Sequence, residues 1–93
     1  EPAQDDRVAA TAQMLRAACR EAGHNVTGDD RVGDVVAAEL LGFATQTLAN
    51  WRAELKGPKH FRIGAYSSRV SYRLTDLAAW IEDSRTDGFT SHP

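Results

Sequence analysis

The stretch AAELLGFATQTLANWR, residues 37–52, decides the fold. It reads as a short helix, a tight turn at Gly42, and a second helix. Ala37, Ala38, Leu40 and Leu41 supply the apolar face of the first helix. Leu48, Trp51 and Leu55, at i, i+3 and i+7, supply that of the second. Gly42 stands where the first helix stops, because only glycine takes a positive φ there without steric penalty. Phe43 is expected to drop into the core, and Thr45 either caps the second helix or occupies its first turn. Two helices joined by a short glycine-containing turn make a helix-turn-helix, a unit that can hold one helix in a DNA major groove. A helical hairpin with no ligand has the same pattern, so the flanking sequence has to discriminate.

Ninety-three residues bound the chain to one domain with a modest core. A hydrophobic fraction of 42% and a charged fraction of 26% are those of an ordinary globular sequence, not a disordered one. The single cysteine, Cys19, excludes a disulfide framework and fits a reducing compartment. No apolar run approaches the roughly 20 residues that span a bilayer, and no signal-like run is present. His24, His60 and His92 lie far apart with no metal-ligand spacing. No nucleophile–base pair or paired carboxylate stands out. The expectation is a non-enzyme without metal or cofactor.

The net charge of −2 conceals an uneven distribution. Residues 45–73 hold six basic side chains (Arg52, Lys56, Lys59, Arg62, Arg69, Arg73) against Glu54 alone. Residues 1–44 hold four basic and eight acidic, and residues 74–93 one basic and four acidic. A basic centre between acidic flanks fits a DNA-facing surface with a solvated back; a mixed surface with clumped charges is the plainer alternative.

Outside the central motif, residues 1–6 read as a frayed start, with Asp5 or Asp6 capping the first helix. From Arg7 to Ala22 the spacing predicts that helix, with a stripe of Val8, Ala12, Leu15, Cys19 and Ala22, widened by Met14 and Ala18 and stopped by Gly23. The stripe either lies on the helix-turn-helix or pairs with a second copy. Residues 23–31 read as a connector, in which Thr27-Gly28-Asp29-Asp30 could open a short helical turn. Val32 is expected to be buried, and Gly33 or Asp34 to cap the next helix. Gly57-Pro58 ends regular structure. Phe61 and Ile63, then Val70 and Tyr72, alternate with arginines about a turn at residues 64–68, which predicts a β-hairpin with an apolar core face and an arginine-rich outer face. It must pack on the helices to be stable. Thr75 and Asp76 open a last helix to about Asp83, with Leu77, Trp80 and Ile81 inward. The polar tail after it reads as mobile.

Two segments, AAELLGFATQTLANWR and GPKHFRIGAYSSRVSYRLTDLAAWIE, resemble the MerR-type winged helix-turn-helix of the excisionase and prophage-regulator (AlpA-like) group. The matching submotifs are Ala37 to Gly42, Thr47-Leu48 with Trp51, Gly57-Pro58, Arg62-Ile63-Gly64, Arg69-Val70-Ser71-Tyr72, and Asp76-Leu77 with Trp80. They cover roughly residues 32–83. Ala44-Thr45 stands where that group has Ser-Pro; with Thr45 as the cap, the start of the second helix would shift by one residue. Ala49-Asn50 precedes the tryptophan where the group carries a basic or long polar residue, leaving fewer charged readers.

The resemblance implies a mainly α fold with a small β-hairpin: a winged helix-turn-helix over residues 32–83, preceded by an N-terminal helix and connector in residues 1–31. The helix at about 45–55 would enter the major groove, and the wing at about 61–73 would follow the backbone or minor groove. On that geometry Gln46 and Asn50 share the face opposite Leu48 and Trp51 and can read adenine. Thr45 and Thr47 would bond phosphate or base edges, and Thr47 can equally bond its own helix backbone. Arg52, Lys56 and Lys59 would hold phosphates, as would Arg69 and Arg73 with Ser67 and Ser68 at the wing tip. Arg62 is a weaker candidate that can also pair with Glu54, and Tyr66 either packs on sugar or covers the turn. Trp51 and Trp80 read as core. The expected function is sequence-selective binding of double-stranded DNA in the bacterial cytoplasm, at the nucleoid. The chain would act as an excisionase-like architectural factor or a transcriptional regulator, as a homodimer or multimer joined through residues 7–22. The alternatives are the DNA-recognition module of a phage terminase small subunit, or a protein-interaction adaptor that has lost DNA binding.

Overall fold

The computed structural model describes residues 3–64 and 69–86. Its elements in chain order are α1 (Gln4–Ala22), β1 (Arg31–Gly33), α2 (Asp34–Leu41), α3 (Thr45–Ala53), β2 (Phe61–Ile63), β3 (Arg69–Arg73) and α4 (Leu74–Asp83). The fold is α-rich with a small antiparallel sheet in the order β1-β3-β2. The turn of the hairpin, 65–68, and residues 87–93 of the tail lie outside the described residues.

The helix-turn-helix is closed by Gly42. At φ 82° it places its own N–H on Glu39 O at 3.2 Å and the Phe43 N–H on Ala38 O at 2.9 Å. This pair of bonds is a Schellman ending, which satisfies two carbonyls that α2 would otherwise leave open. Ala37 and Ala38 beneath it are buried, with Leu40 and Leu41 packed alongside. Across the turn, Leu48 of α3 is fully enclosed.

Thr45 takes the second of its two expected places, the first turn of α3, and makes no side-chain cap; Ala44 occupies the cap position, so the helix start is not shifted. Two expectations for this motif change. Phe43 stays 43% exposed and packs edge-on to Trp51, with centroids 4.9 Å apart, and to Trp80 at 6.3 Å. Leu55 lies beyond the end of α3 and is 93% exposed, so it does not extend the Leu48–Trp51 face.

The first helix starts at Gln4 behind Ala3, with Asp5 and Asp6 in its first turn and no side-chain cap. Ala12, Leu15 and Cys19 are buried and Val8 packs beside them. Met14, Ala18 and Ala22 are not buried, so the stripe is narrower than its spacing suggested. The stripe lies within the molecule, against α4. The Thr11 hydroxyl donates to Glu82 Oε2 at 2.8 Å, Arg7 stands 3.5 Å from Glu82 Oε1, and Gln4 bonds Asp83.

The connector forms no helical turn at Thr27. Thr27 Oγ1 accepts the Arg31 N–H at 2.8 Å and donates to Asp29 at 2.6 Å, which folds the loop into the start of β1. That strand pairs Arg31 with Arg73, Val32 with Tyr72, and Gly33 with Ser71. On the other side of β3, Phe61 faces Ser71, Arg62 faces Val70 and Ile63 faces Arg69. Opposed residues of antiparallel strands share a face. The core face therefore carries Val32, Val70 and Tyr72, while Phe61 and Ile63 sit on the outer face with Arg69 and Arg73. Alternation in β2 is as expected but its phase is not, and a shift of one residue turns every side chain over. Finally, α4 begins at Leu74 directly behind Arg73, so Thr75 is inside the helix and caps nothing. Leu74, Leu77 and Ala78 are buried, with Ile81 against them.

Candidate nucleic-acid interface

With Leu48 locked inward, the opposite side of α3 carries Gln46 and Asn50, both exposed. They are one helical turn apart, and Gln46 Nε2 donates to Asn50 Oδ1 at 3.0 Å. Thr45 and Thr47 are half-buried on the same helix. An amide pair joined in this way retains one carbonyl oxygen and one NH2 group, an acceptor and a donor side by side.

The basic residues divide into two groups. At the exit of α3, Arg52 Nη1 donates to the hydroxyl of buried Tyr72 at 2.7 Å, which fixes its guanidinium. Lys56 stands 3.0 Å from Glu54 in an exposed pair, an interaction worth little in water. Glu54 is thus engaged by Lys56 and not by Arg62. Lys59, Arg62 and Arg69 are exposed. His60 lies half-buried with its ring 6.0 Å from that of Tyr72. Burial, and then the charges of Arg62 and Arg52, hold the imidazole below its ordinary value.

On the outer sheet face the arrangement differs from the expectation. Arg73 is not an open cation: its Nη2 lies 3.3 Å from Asp29 Oδ2, its Nε donates to Asp29 O at 3.2 Å, and its guanidinium covers the Phe61 ring at 4.9 Å. Arg31 holds the same carboxylate at 2.8 and 2.9 Å, reaches Ser71 Oγ at 2.8 Å, and approaches Phe61 from 5.9 Å. Donors from Arg31 and then Thr27 keep the Asp29 carboxyl well below the usual carboxylate range. Ser67, Ser68 and Tyr66 lie outside the described residues.

Asp29, Arg31 and Phe61 therefore join this surface without having been expected there. Their only signal in the sequence is Thr27-x-Asp29 beside Arg31, a pattern that favours a local side-chain-to-backbone turn. Among the described residues no three His, Cys, Asp or Glu side chains gather as metal ligands, and no helix is long and apolar enough to cross a membrane. Burial, followed by Asp30 and Glu39, raises the Cys19 thiol above its ordinary value. Comparison of the chain with protein-family models, curated proteins and solved structures finds no match.

Proposed function

We propose that this chain is a winged helix-turn-helix DNA-binding protein of the MerR-type excisionase and prophage-regulator kind, acting as an architectural factor or a transcriptional regulator on bacterial DNA. The observation that carries the reading is the coupled Gln46–Asn50 pair on the exposed side of a short helix whose other side is anchored by Leu48. Its leftover acceptor and donor complement the N6–H and N7 of adenine in the major groove. Arg52, Lys56 and Lys59 follow on the same helix exit, and Arg62 and Arg69 stand on the hairpin. Such cations position a protein on phosphates without reading sequence.

A single module of this size buries about 600–1,000 Å² of its own surface on DNA. Tight binding therefore calls for two or more copies on adjacent sites. Because the apolar stripe of α1 is already buried against α4, the joining surface would be the solvent face of α1, which carries Met14 at 68% exposure.

The test is fluorescence anisotropy on a random-sequence duplex across a salt series. Neutralising four to six phosphates predicts a log–log slope of about −4 to −5. Absence of binding at low salt would overturn the reading. It would favour a protein-interaction adaptor instead, for which the specific support is that Arg31 and Arg73 are both engaged by Asp29.

A further inference from the structure

The loop leaving α3 borders an open cleft of roughly 250 Å³ lined by Arg52, Leu55, Lys56, Lys59 and His60. Leu55 is the unusual member. Both α1 and α2 end on a glycine in the left-handed conformation, Gly23 at φ 75° and Gly42 at φ 82°. At the end of α3 the same two bonds form, Leu55 N–H to Arg52 O at 3.2 Å and Lys56 N–H to Trp51 O at 2.8 Å, but Leu55 takes the glycine position at φ 59°. A branched side chain is sterically disfavoured there, and at 93% exposure it recovers nothing by packing. Packing within the fold gives no reason for a leucine in that place, and an apolar contact made outside the chain would supply one.

The rest of the cleft is prepared for an anion. Tyr72 fixes the Arg52 guanidinium through one nitrogen and leaves its other donors in place, so little side-chain freedom remains to be lost on binding. Around His60 stand Arg52 of α3, Tyr72 of β3, Arg62 of β2, and Lys56 and Lys59 of the loop, with Glu54 drawn to Lys56.

We propose that this cleft seats one phosphodiester group of duplex DNA, with Arg52, Lys59 and His60 donating to the phosphate oxygens and Leu55 packing on the adjoining deoxyribose. This rests on the DNA-binding reading and adds two contact residues to it. An imidazole depressed by burial and neighbouring cations is neutral at pH 7. The arriving phosphate reverses the local field, and His60 takes up a proton. The complex then binds one more proton than the free protein between the free-state and bound-state values. Affinity accordingly rises as pH falls from the bound-state value to the free-state one, and is flat on either side.

The experiment measures anisotropy on a labelled duplex of about 20 base pairs, comparing the full chain with His60→Gln and Leu55→Gly near pH 6 and pH 8, with the melting temperature of each protein recorded. Wild type is expected to bind about three- to tenfold tighter near pH 6, and His60→Gln to lack that difference. Leu55→Gly is expected to melt above wild type yet bind about threefold more weakly at both pH values. Salt-sensitive binding by wild type that neither variant alters overturns the cleft assignment and leaves the DNA reading standing. Equal weakening of His60→Gln at both pH values, with a lowered melting temperature, marks a structural histidine and also overturns it. No salt-sensitive binding by wild type overturns both.

Discussion

Arg16 and Asp30 meet as a fork: Arg16 Nε lies 3.0 Å from both carboxylate oxygens, and Nη2 lies 2.7 Å from Oδ2. Asp30 holds a left-handed φ of 74°, and its carbonyl accepts the first amide of α4, Leu74 N–H, at 2.8 Å. One residue thus ties α1 to the loop and the loop to α4. Arg16→Ala should cost about 1 kcal/mol, the lower end for a charge-assisted fork because the pair is partly open to solvent. Urea unfolding at low and high salt checks this. An unchanged midpoint in both would show that the fork contributes nothing.

Leu48 is the inward anchor of the candidate reading helix. Truncating a fully enclosed leucine removes its contacts and leaves a cavity, so Leu48→Ala should lose about 3 kcal/mol. In a domain whose total stability is about 5–15 kcal/mol, that shift is large and visible in the thermal midpoint. A loss below about 1 kcal/mol would mean that the neighbours close over the gap.

Asp29 engages both Arg31 and Arg73, and on the DNA-binding proposal it would compete there with a phosphate. Asp29→Asn should release both guanidinium groups, tighten DNA binding about three- to tenfold and steepen the salt slope by about one. The acid response is also fixed in sign. A carboxyl whose folded value is depressed stabilises the fold above its unfolded value of about 4, and the contribution disappears as pH falls through the folded value. Acid unfolding of Asp29→Asn should therefore lack the part of the wild-type curve below about pH 4. Weaker DNA binding by this variant would show that the carboxylate orients Arg73 instead of competing for it.

Gln46→Ala and Asn50→Ala should relax base preference at one position by about 1–3 kcal/mol. The salt slope should stay unchanged, because neither residue is charged. Competition between a selected site and random duplex separates the two effects, and a changed slope with intact preference would move both residues to the phosphate backbone.

The central motif was legible because its signals are local and mutually consistent. Gly42 at a helix end and Leu48 one turn into the next helix each admit one placement. The errors share a different cause. Phe61-Arg62-Ile63 alternates, but alternation alone does not say which phase faces the core; only pairing with Ser71 and Arg69 does. Arg31-Val32-Gly33 is too short to show any period. Leu55 continues the helical spacing of Leu48 and Trp51, so its position past the helix end is hidden until the ending itself is formed. The Asp29 cluster shows locally only as Thr27-x-Asp29 beside Arg31; its contact with Arg73 joins residues more than forty positions apart, beyond the reach of a local pattern.

The placement of β1 also decides how the protein can be dissected. β3 is bonded along both edges, by β1 on one side and β2 on the other. A fragment cut to begin at residue 34 would keep every residue of the helix-turn-helix and the hairpin. It would also strip one flank of β3, baring a row of unpaired amides and carbonyls that invites a second chain to take the vacant place. Such a fragment would self-associate through its sheet. Its stoichiometry would then report the position of the cut and not the way the intact chain assembles.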